Sequence, residues 1–415
     1  MTRFWHPVAD MSAVAAGGEL ILERGEGVHV WDADGRRYLD ATGALWYCNV
    51  GYGRDGIVDA AMAQMRRLPA YSHYGDVSTR STTDLAERIS KIAPMDDAAV
   101  FFASGGGESI ETAVKLVRRY WSLLEQPEKT IVVSRERAYH GLAGYGTSIV
   151  GMDAFMVGVG PLAGDTLRVP WDDAAALATA IDEAGPERVA AFFCEPIVGA
   201  GGVLLPPPGY LEEARRICRE RDVLFVADEV ICGFCRVGDW FASTRFGLEP
   251  DVVTFAKGVT SGYLPLGGVI VSGRVREPFW TPGAGVWRHG YTYSGHATAT
   301  AAAHANLDIM EREGLAERAR GLETELAEAL EPLAGHSLVS EIRAGLGVVA
   351  AVQLAADALS DDPGMADRVV AGAREQGVLG RALAGGSLQI SPALTIDADG
   401  LAELVAGLGA ALDAV

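Results

Sequence analysis

The middle of the chain alternates short apolar runs with longer segments of helical spacing. The runs lie at residues 99–103, 130–134, 189–194, 223–227 and 252–255. Each has the length of a buried strand. Between residues 108 and 124, apolar positions recur every three or four residues and predict an amphipathic helix. Because strands that alternate with helices form a mostly parallel sheet flanked by helices, we expect an α/β fold.

The two ends of the chain carry a different pattern. Residues 28–39 alternate apolar and polar positions around an Asp-Gly turn, which predicts a β-hairpin. From residue 345 onward, the spacing predicts two strands and two helices. We therefore expect a large domain over residues 56–310 and a small α+β lobe built from both termini, residues 1–55 and 311–415.

The composition excludes several classes of protein. The 415 residues include 35 Lys and Arg against 55 Asp and Glu, a net charge of −20. Such a charge repels nucleic acids and anionic membrane surfaces, so neither partner is expected. No run of about 18 apolar residues occurs, so no membrane span is predicted.

The cysteines indicate a compartment. The five are odd in number and scattered, which favours a reducing cytoplasm over a disulfide framework. Cys232 and Cys235 form the one close pair, but a zinc site would need two further ligands at matching spacing. We therefore expect two neutral thiols and no metal.

A glycine-rich loop follows the first predicted strand of the sheet. Residues 104–108 read Ser-Gly-Gly-Gly-Glu and open the predicted helix. Bare backbone N–H groups and the positive end of a helix dipole bind phosphate at such a place. The loop fits neither the dinucleotide fingerprint nor the P-loop pattern. Taken alone, it indicates a tight turn as readily as an anion site.

Reactive side chains follow three other predicted strands. Tyr139 and His140 come after the second run, Asp228 after the fourth and Lys257 after the fifth. Each alone could be a solvated loop residue, but ligands of open α/β sheets bind at this edge, and a buried lysine is costly unless it is paired, neutral or covalently used. Together, a phosphate loop, an aromatic ring, a carboxylate and a lysine suit pyridoxal phosphate.

Three motifs containing these residues resemble the class III aminotransferases, the omega-aminotransferase group of fold type I pyridoxal-phosphate enzymes. They read Asp-Glu-Val-Ile-Cys-Gly-Phe-Cys-Arg-Val-Gly (228–238), Ala-Lys-Gly (256–258) and Ser-Gly-Tyr-Leu-Pro-Leu (261–266). The similarity spans nearly the whole chain. It implies pyridoxal phosphate as the cofactor, and an amine donor and a 2-oxo acid as the substrates.

The resemblance also implies roles for individual residues. Lys257 would bind the cofactor covalently and move a proton during the reaction, and Asp228 would pair with the pyridine nitrogen. Val230 and Tyr139 would pack on opposite faces of the cofactor ring. We also expect His140, next to Tyr139, to be a cofactor-binding residue.

The phosphate side of the resemblance contains a departure. The family usually has Ser-Gly-Ser-Glu-Ala where this chain has Gly-Gly-Gly-Glu-Ser at 105–109. A phosphate-binding hydroxyl is thus lost at Gly107, while the backbone N–H groups of Gly106 and Gly107 remain, so we expect weaker cofactor retention. Thr292 matches a threonine that reaches the phosphate from the partner subunit, which implies an obligate homodimer with shared active sites.

The substrate class is narrowed by a missing residue. Relatives that act on ornithine or 4-aminobutyrate carry a glutamate that pairs with an arginine, and Ala200 stands at that place here. Arg381 matches the arginine that clamps the acceptor carboxylate in the pyruvate-dependent branch, although a surface ion-pairing arginine is an alternative. Trp46 resembles the aromatic lining of the amine pocket, with a core tryptophan as the alternative.

The resulting hypothesis is a cytoplasmic homodimeric aminotransferase. An amine or omega-amino acid would donate its amino group, and a 2-oxo acid, preferably pyruvate, would accept it in a ping-pong cycle. A pyridoxal-phosphate-dependent decarboxylase, aminomutase or amino-acid racemase on the same fold is the alternative, because sequence does not define which substrate bond is broken. A non-catalytic binding protein and a dehydrogenase are the rivals from other classes, and the absent dinucleotide fingerprint argues against the dehydrogenase.

Overall fold

The computed structural model describes residues 2–415, which form three sheets and the helices around them. The strands are β1 (Leu22–Glu26), β2 (His29–Asp32), β3 (Arg37–Asp40), β4 (Ala99–Ala103), β5 (Ile131–Arg135), β6 (Thr166–Val169), β7 (Val189–Cys194), β8 (Leu224–Asp228), β9 (Val252–Phe255), β10 (Gly267–Val271), β11 (Val339–Arg343), β12 (Ala350–Leu354), β13 (Val378–Leu379), β14 (Ala382–Leu383) and β15 (Ser387–Ile390). The helices are α1 (Met11–Gly17), α2 (Gly43–Trp46), α3 (Asp55–Arg67), α4 (Arg80–Ile92), α5 (Gly106–Leu123), α6 (Gly144–Ile149), α7 (Ala174–Ala184), α8 (Tyr210–Glu220), α9 (Ala242–Phe246), α10 (Gly273–Trp280), α11 (Ala297–Arg312), α12 (Leu315–Leu330), α13 (Ala356–Asp361), α14 (Met365–Glu375) and α15 (Ala398–Asp413). Within residues 2–415, no helix is both long enough and apolar enough to cross a bilayer.

The large sheet has seven strands in the order β4-β10-β9-β8-β7-β5-β6. Strands β6, β5, β7, β8 and β9 run parallel, whereas β10 is antiparallel to both β9 and β4. The expected mostly parallel sheet flanked by helices is therefore confirmed. Strands β6 and β10 are not evident from the sequence pattern, because β6 is a partly exposed edge strand and β10 opens with two glycines that carry no hydrophobic signal.

Helices cover both faces of this sheet because its central strands are apolar on both sides. In β7, the successive residues Phe192 and Phe193 point to opposite faces and enter two separate core clusters. Helix α5 packs on the Phe193 face, where the Trp121 indole N–H donates to Ala190 O at 2.9 Å. Helices α7 and α8 pack on the Phe192 face. Polar chemistry is therefore confined to the strand ends.

Both termini contribute to the small lobe, as expected. The sheet β1-β2-β3-β13 joins the N-terminal hairpin to β13, which pairs in parallel with β3 at Val378 and Leu39. A second sheet, β11-β12-β15-β14, comes from the C-terminal part of the chain. The domain boundaries at residues 55 and 310 stay predictions.

A buried arginine joins the lobe to the large domain. Arg236 lies in the loop after β8, and its guanidinium donates to Pro392 O at 2.6 Å, to Val348 O and Ser391 O at 3.3 Å each, and to the Asn49 side chain. Burial lowers its pKa to about 10. All these acceptors are uncharged, so one side chain ties the N-terminal and C-terminal segments to the large domain without an ion pair.

Candidate active site

The residues predicted to carry the chemistry follow strands that end at one edge of the large sheet. Strands β5, β8 and β9 are parallel, and β4 has the same direction because both β4 and β9 are antiparallel to β10. Tyr139 and His140 follow β5, Asp228 ends β8, and Lys257 follows β9. The topology therefore collects these side chains at the edge where open α/β sheets bind ligands.

Three donors hold the carboxylate of Asp228, which is only 4% exposed. His140 donates from Nδ1 to Oδ2 at 2.7 Å, Thr254 donates from Oγ1 to Oδ1 at 2.9 Å, and the Val230 backbone N–H donates to Oδ1 at 3.2 Å. Thr254 lies on the neighbouring strand β9, a partner that sequence analysis missed because its position in an apolar run shows no polar role. The carboxylate is thus fixed from three sides.

Lys257 begins a short 3-10 turn, Lys257–Val259, with a φ of 43° that is unusual for a residue with a side chain. Its ammonium makes no hydrogen bond to residues 2–415. Desolvation lowers the pKa of Lys257, and the negative charges of Asp228 and Glu195 oppose that effect. Both carboxylates therefore lie within electrostatic reach of the amine, and its burial favours the neutral form.

The glycine-rich loop is packed against the rest of this edge. A Cβ built on Gly106 would lie 2.9 Å from Val230 Cγ1, and one built on Gly141 would lie 3.0 Å from Gly107 Cα. Helix α5 begins at Gly106, so the N–H groups of its first turn have no acceptor within the helix. One neighbouring N–H, that of Ser104, donates to the Glu108 carboxylate at 2.7 Å. The loop therefore presents free backbone donors next to Val230.

Glu195 positions the loop that carries Tyr139, a role that the sequence did not reveal. Its side chain is 3% exposed and accepts from Tyr139 N at 2.9 Å and from Gly199 N at 3.0 Å. Burial raises the pKa of Glu195, with His140 opposing and Asp228 adding to the rise. The Tyr139 ring packs edge-on against Phe155 with centroids 5.7 Å apart. The only sequence signal for this role of Glu195 was the motif Glu-Pro-Ile at residues 195–197.

Trp46 and Arg381, from opposite ends of the chain, meet. The Arg381 guanidinium lies 5.3 Å from the centre of the Trp46 ring and makes no hydrogen bond to residues 2–415. It also lies within electrostatic reach of Tyr139 and Lys257. Trp46 is only 2% exposed and is therefore a core residue, and its ring also packs against the Arg381 guanidinium. A guanidinium without a carboxylate partner, within electrostatic reach of Lys257, is suited to an anionic ligand.

The segment 43–46 that carries Trp46, the short helix α2 with non-helical backbone angles at Ala44 and Leu45, is held in a strained conformation by Asp40. Ala44 has a φ of 55° and Trp46 a φ of 60°. The Asp40 carboxylate accepts from Ala44 N at 2.6 Å, from Tyr52 Oη at 2.7 Å and from Thr42 Oγ1 at 2.9 Å. These bonds offset the backbone strain and fix the direction of the indole.

Thr292 lies in the segment between helices α10 and α11. It is exposed and lies in a separate cavity of about 290 Å³ together with aromatic residues that include Tyr71, Tyr74 and Tyr293. No other predicted site residue lines that cavity.

Glu229, next to Asp228, points away from the site. Its side chain is fully buried and accepts from the backbone N–H groups of Ala242 and Ser243, the latter at 2.8 Å, at the start of helix α9. Burial raises its pKa to about 7. Of these two adjacent carboxylates, Asp228 therefore belongs to the site, and Glu229 caps helix α9.

The buried thiols of Cys232 and Cys235 lie outside the site chemistry. All five cysteines are buried and free. Burial raises the pKa of Cys235 to about 12 and that of Cys232 well above its ordinary value, so both thiols are protonated at neutral pH.

The site fits a phosphorylated pyridine aldehyde such as pyridoxal phosphate. Asp228 suits the ring nitrogen, the amine of Lys257 suits the aldehyde carbon, and the N–H groups of Gly106 and Gly107 suit the phosphate. In addition, Nε2 of His140 is buried without a hydrogen-bond partner among residues 2–415.

Comparison with known proteins agrees with this chemistry. The sequence profile of the family described as aminotransferase class-III matches residues 12–412. The putrescine–pyruvate aminotransferase of Pseudomonas aeruginosa is 38% identical over 96% of this chain and 91% of its own length. The diaminobutyrate–2-oxoglutarate transaminase of Halomonas elongata is 36% identical over 93% of this chain and 88% of its own length.

A solved structure extends the similarity to the whole fold. The crystal structure of an amine transaminase from an uncultivated Pseudomonas species, in its PLP-bound form, superposes with a TM-score of 0.95 at 34% identity. The superposition covers 100% of this chain and 99% of that chain.

The buried Glu229 gives stability a characteristic pH dependence. Because its pKa rises from an ordinary 4.5 to about 7, its contribution to folding is complete below about pH 4.5 and is lost as the pH rises through 7. Urea unfolding of the wild type and of Glu229→Gln between about pH 5 and 8 should show that the wild type loses on the order of 2–3 kcal/mol more over this range. Glu213→Gln is the control, since Glu213 is exposed and Arg216 lowers its pKa. Parallel curves for the wild type and Glu229→Gln would contradict the assignment.

Proposed function

Since the chain belongs to the class III aminotransferase family and is therefore a pyridoxal-phosphate-dependent aminotransferase, we propose that Lys257, Asp228 and Arg381 are the residues that carry its chemistry. The enzyme transfers an amino group from an amine donor to a 2-oxo acid. The observation that carries the assignment is a lysine without a hydrogen-bond partner within electrostatic reach of a carboxylate fixed by three donors.

Asp228 would hold the ring nitrogen of the cofactor in its protonated form. When bound, pyridoxal phosphate supplies a conjugated ring that takes up the electron pair released at the substrate carbon. The hydrogen bonds from His140 and Thr254 would keep the carboxylate in place while it accepts a hydrogen bond from the protonated ring nitrogen. A charge-assisted hydrogen bond in a buried site is both short and directional, so Asp228 would also set the orientation of the ring.

The remaining contacts would fix the other parts of the cofactor. The backbone N–H groups of Gly106 and Gly107, at the positive end of helix α5, would bind the phosphate. Val230 touches Gly106 and would pack on one face of the ring, with Tyr139 on the other. Glu195 supports the second contact because it holds the Tyr139 backbone.

Lys257 would bind the cofactor and hold and return the proton at the substrate carbon. Desolvation lowers its pKa, which enlarges the fraction of neutral amine that can accept a proton. Its strained backbone at the end of β9 fixes the direction of the side chain. One residue can therefore serve as the base in both halves of the cycle.

Arg381 would bind the acceptor carboxylate, with pyruvate as the preferred acceptor. Its planar guanidinium can form two parallel hydrogen bonds to a carboxylate, and Trp46 holds it from below. At position 200 an alanine supplies no carboxylate that would compete for an arginine. The two curated relatives are named for pyruvate and for 2-oxoglutarate respectively, so the preference for pyruvate is based on Arg381 and Ala200.

We further propose a homodimer in which Thr292 completes the partner's phosphate site. Thr292 is exposed and lines a cavity that contains no other predicted site residue. Around it, Tyr71, Tyr74 and Tyr293 are each at least 60% exposed, an aromatic surface typical of an interface.

A cytoplasmic location is proposed from the thiol chemistry. The five free cysteines suit a reducing compartment. Cell fractionation that recovered the enzyme from an oxidising compartment would contradict this location.

Replacement of Lys257 by alanine should abolish catalysis. Without the amine, neither covalent binding of the cofactor nor proton transfer at the substrate carbon is possible, so turnover should fall by at least about 10³-fold and the absorption band of the covalently bound cofactor should disappear. Lys91→Ala, at an exposed lysine, is the control. Turnover retained in Lys257→Ala would overturn the assignment.

Replacement of Arg381 by glutamine should affect acceptors that carry a carboxylate. We expect kcat/KM for pyruvate to fall by about 10²-fold, while kcat/KM for propanal, which has the same chain length without the carboxylate, stays within about twofold. Arg118→Gln is the control, because Arg118 also donates to main-chain carbonyls but lies on helix α5. A wild-type enzyme that used 2-oxoglutarate better than pyruvate would disprove the acceptor preference.

Mixed dimers test the shared site. Thr292→Ala homodimers should bind the cofactor more weakly, by about tenfold, and Lys257→Ala homodimers should be inactive. In a mixed dimer, the site with the intact Lys257 receives Thr292 from the other subunit, so about half the sites should recover native affinity and activity. A monomer by light scattering, or mixed protein with only the weak affinity, would exclude the shared site.

A further inference from the structure

Arg137 lies between β5 and Tyr139, and its side chain bridges two other loops. Its Nε donates to Gly201 O at 2.9 Å, and its Nη2 donates to the same oxygen and to Ala384 O at 3.2 Å. Gly201 belongs to the loop after β7, and Ala384 directly follows β14. One guanidinium therefore joins three segments of chain, two from the large domain and one from the small lobe.

The surroundings of Arg137 leave no room for other arrangements. Cβ atoms built on Gly202 and on Gly385 would each lie 2.9 Å from Arg137 Nη2. Arg137 itself has a φ of 63°. Both loops thus approach the guanidinium at glycines, where an added side chain would have to displace it, and the backbone of Arg137 is strained to direct it there.

The segment that Arg137 grips is the one that presents Arg381. Arg381 immediately precedes β14, and its main-chain O accepts from Gln389 N at 2.9 Å on β15. Strand β14 pairs with β15 through Leu383 and Ser387, so residues 381–389 form one short hairpin with Ala384 at its tip. A short hairpin moves as a unit, and a displacement of the tip therefore changes the position of Arg381.

The contacts of Arg137 explain why an arginine is needed. All its acceptors are neutral carbonyls, and a second arginine, Arg343, donates to Gly202 O and Val203 O at 3.1 and 3.0 Å. Two cations at one loop repel each other, and desolvation together with Arg343 lowers the pKa of Arg137. A planar fork reaches carbonyls of two loops at once, which an ammonium group cannot do with the same geometry.

We propose that Arg137 is a positioning residue for the acceptor: it fixes the hairpin that carries Arg381 against the Gly201 loop, and thereby sets the affinity for the acceptor carboxylate. This role depends on the proposed function of Arg381 as the carboxylate clamp. Because the amine chemistry occurs at Lys257, the effect of Arg137 should be confined to acceptors that carry a carboxylate.

The experiment compares two acceptors in the holoenzyme. With butylamine as the donor, whose product butanal differs from both acceptors, Arg137→Gln should raise KM for pyruvate about tenfold with kcat within about twofold, and leave both constants for propanal within about twofold. Arg137→Lys keeps the charge but can reach only one carbonyl, so its KM for pyruvate should lie between the values of the wild type and Arg137→Gln. Arg118→Gln, with the same change of charge and the same kind of carbonyl contacts, should leave both acceptors unaffected.

The double variant Arg137→Gln/Arg381→Gln distinguishes the possible failures. If Arg137 acts through Arg381, the double variant should use pyruvate as poorly as Arg381→Gln alone. An equal rise of KM for pyruvate and propanal in Arg137→Gln would show a general structural role and overturn the proposal. Unchanged KM values for both acceptors in Arg137→Gln, as expected for Arg118→Gln, would also overturn it. If Arg381→Gln left kcat/KM for pyruvate unchanged, the proposed role of Arg381 as the carboxylate clamp would fail, and the role of Arg137 with it. This result is distinguishable from the two outcomes above, because they concern Arg137→Gln alone.

Discussion

The site depends on one buried carboxylate at the end of the central strand. Asp228 is removed from water by the strands on either side, and a carboxylate in that position is stable only if donors replace the lost solvent. The donors come from three places, His140 after β5, Thr254 on β9 and the Val230 backbone N–H in the loop after β8. The need to satisfy a single charge therefore holds these segments in one arrangement, and the residues next to them, Tyr139 and Lys257, receive their positions from it.

Elsewhere, buried and half-buried arginines that donate to uncharged acceptors join separate parts of the enzyme, in addition to ion pairs such as that of Arg245 with Glu323. Arg236 binds the two chain termini to the large domain, and Arg137 and Arg343 bind the 201–203 loop. Arg137 and Arg236 have no carboxylate partner among residues 2–415, whereas Arg343 also pairs with Glu341 at 2.7 Å. The net charge of −20 repels polyanions, and the phosphate of the cofactor and the carboxylate of the acceptor would be bound by local donors, the N–H groups at the start of α5 and Arg381.

The acceptor side of the site exists only because the chain termini meet. Trp46 comes from the N-terminal segment, where Asp40 stabilises a strained loop, and Arg381 comes from a C-terminal hairpin. Since β13 pairs with β3, the two segments are also neighbours in the small lobe. The lobe thus contributes the group that recognises the substrate, and the large sheet contributes the groups that react with it.

The sequence alone determined the alternation of strands and helices, the edge where the chemistry collects, and the motif around Lys257 and Asp228, because hydrophobic periodicity and chain direction are local properties. The resemblance already assigned Asp228 to the site, but only the tertiary structure showed the role of the adjacent Glu229, whose side chain points away from the site and caps helix α9. The tertiary structure also revealed Thr254, Glu195 and Arg137, whose partners lie tens of residues away along the chain. Contacts of that kind depend on how the strands are ordered, and no local pattern in the sequence records that order.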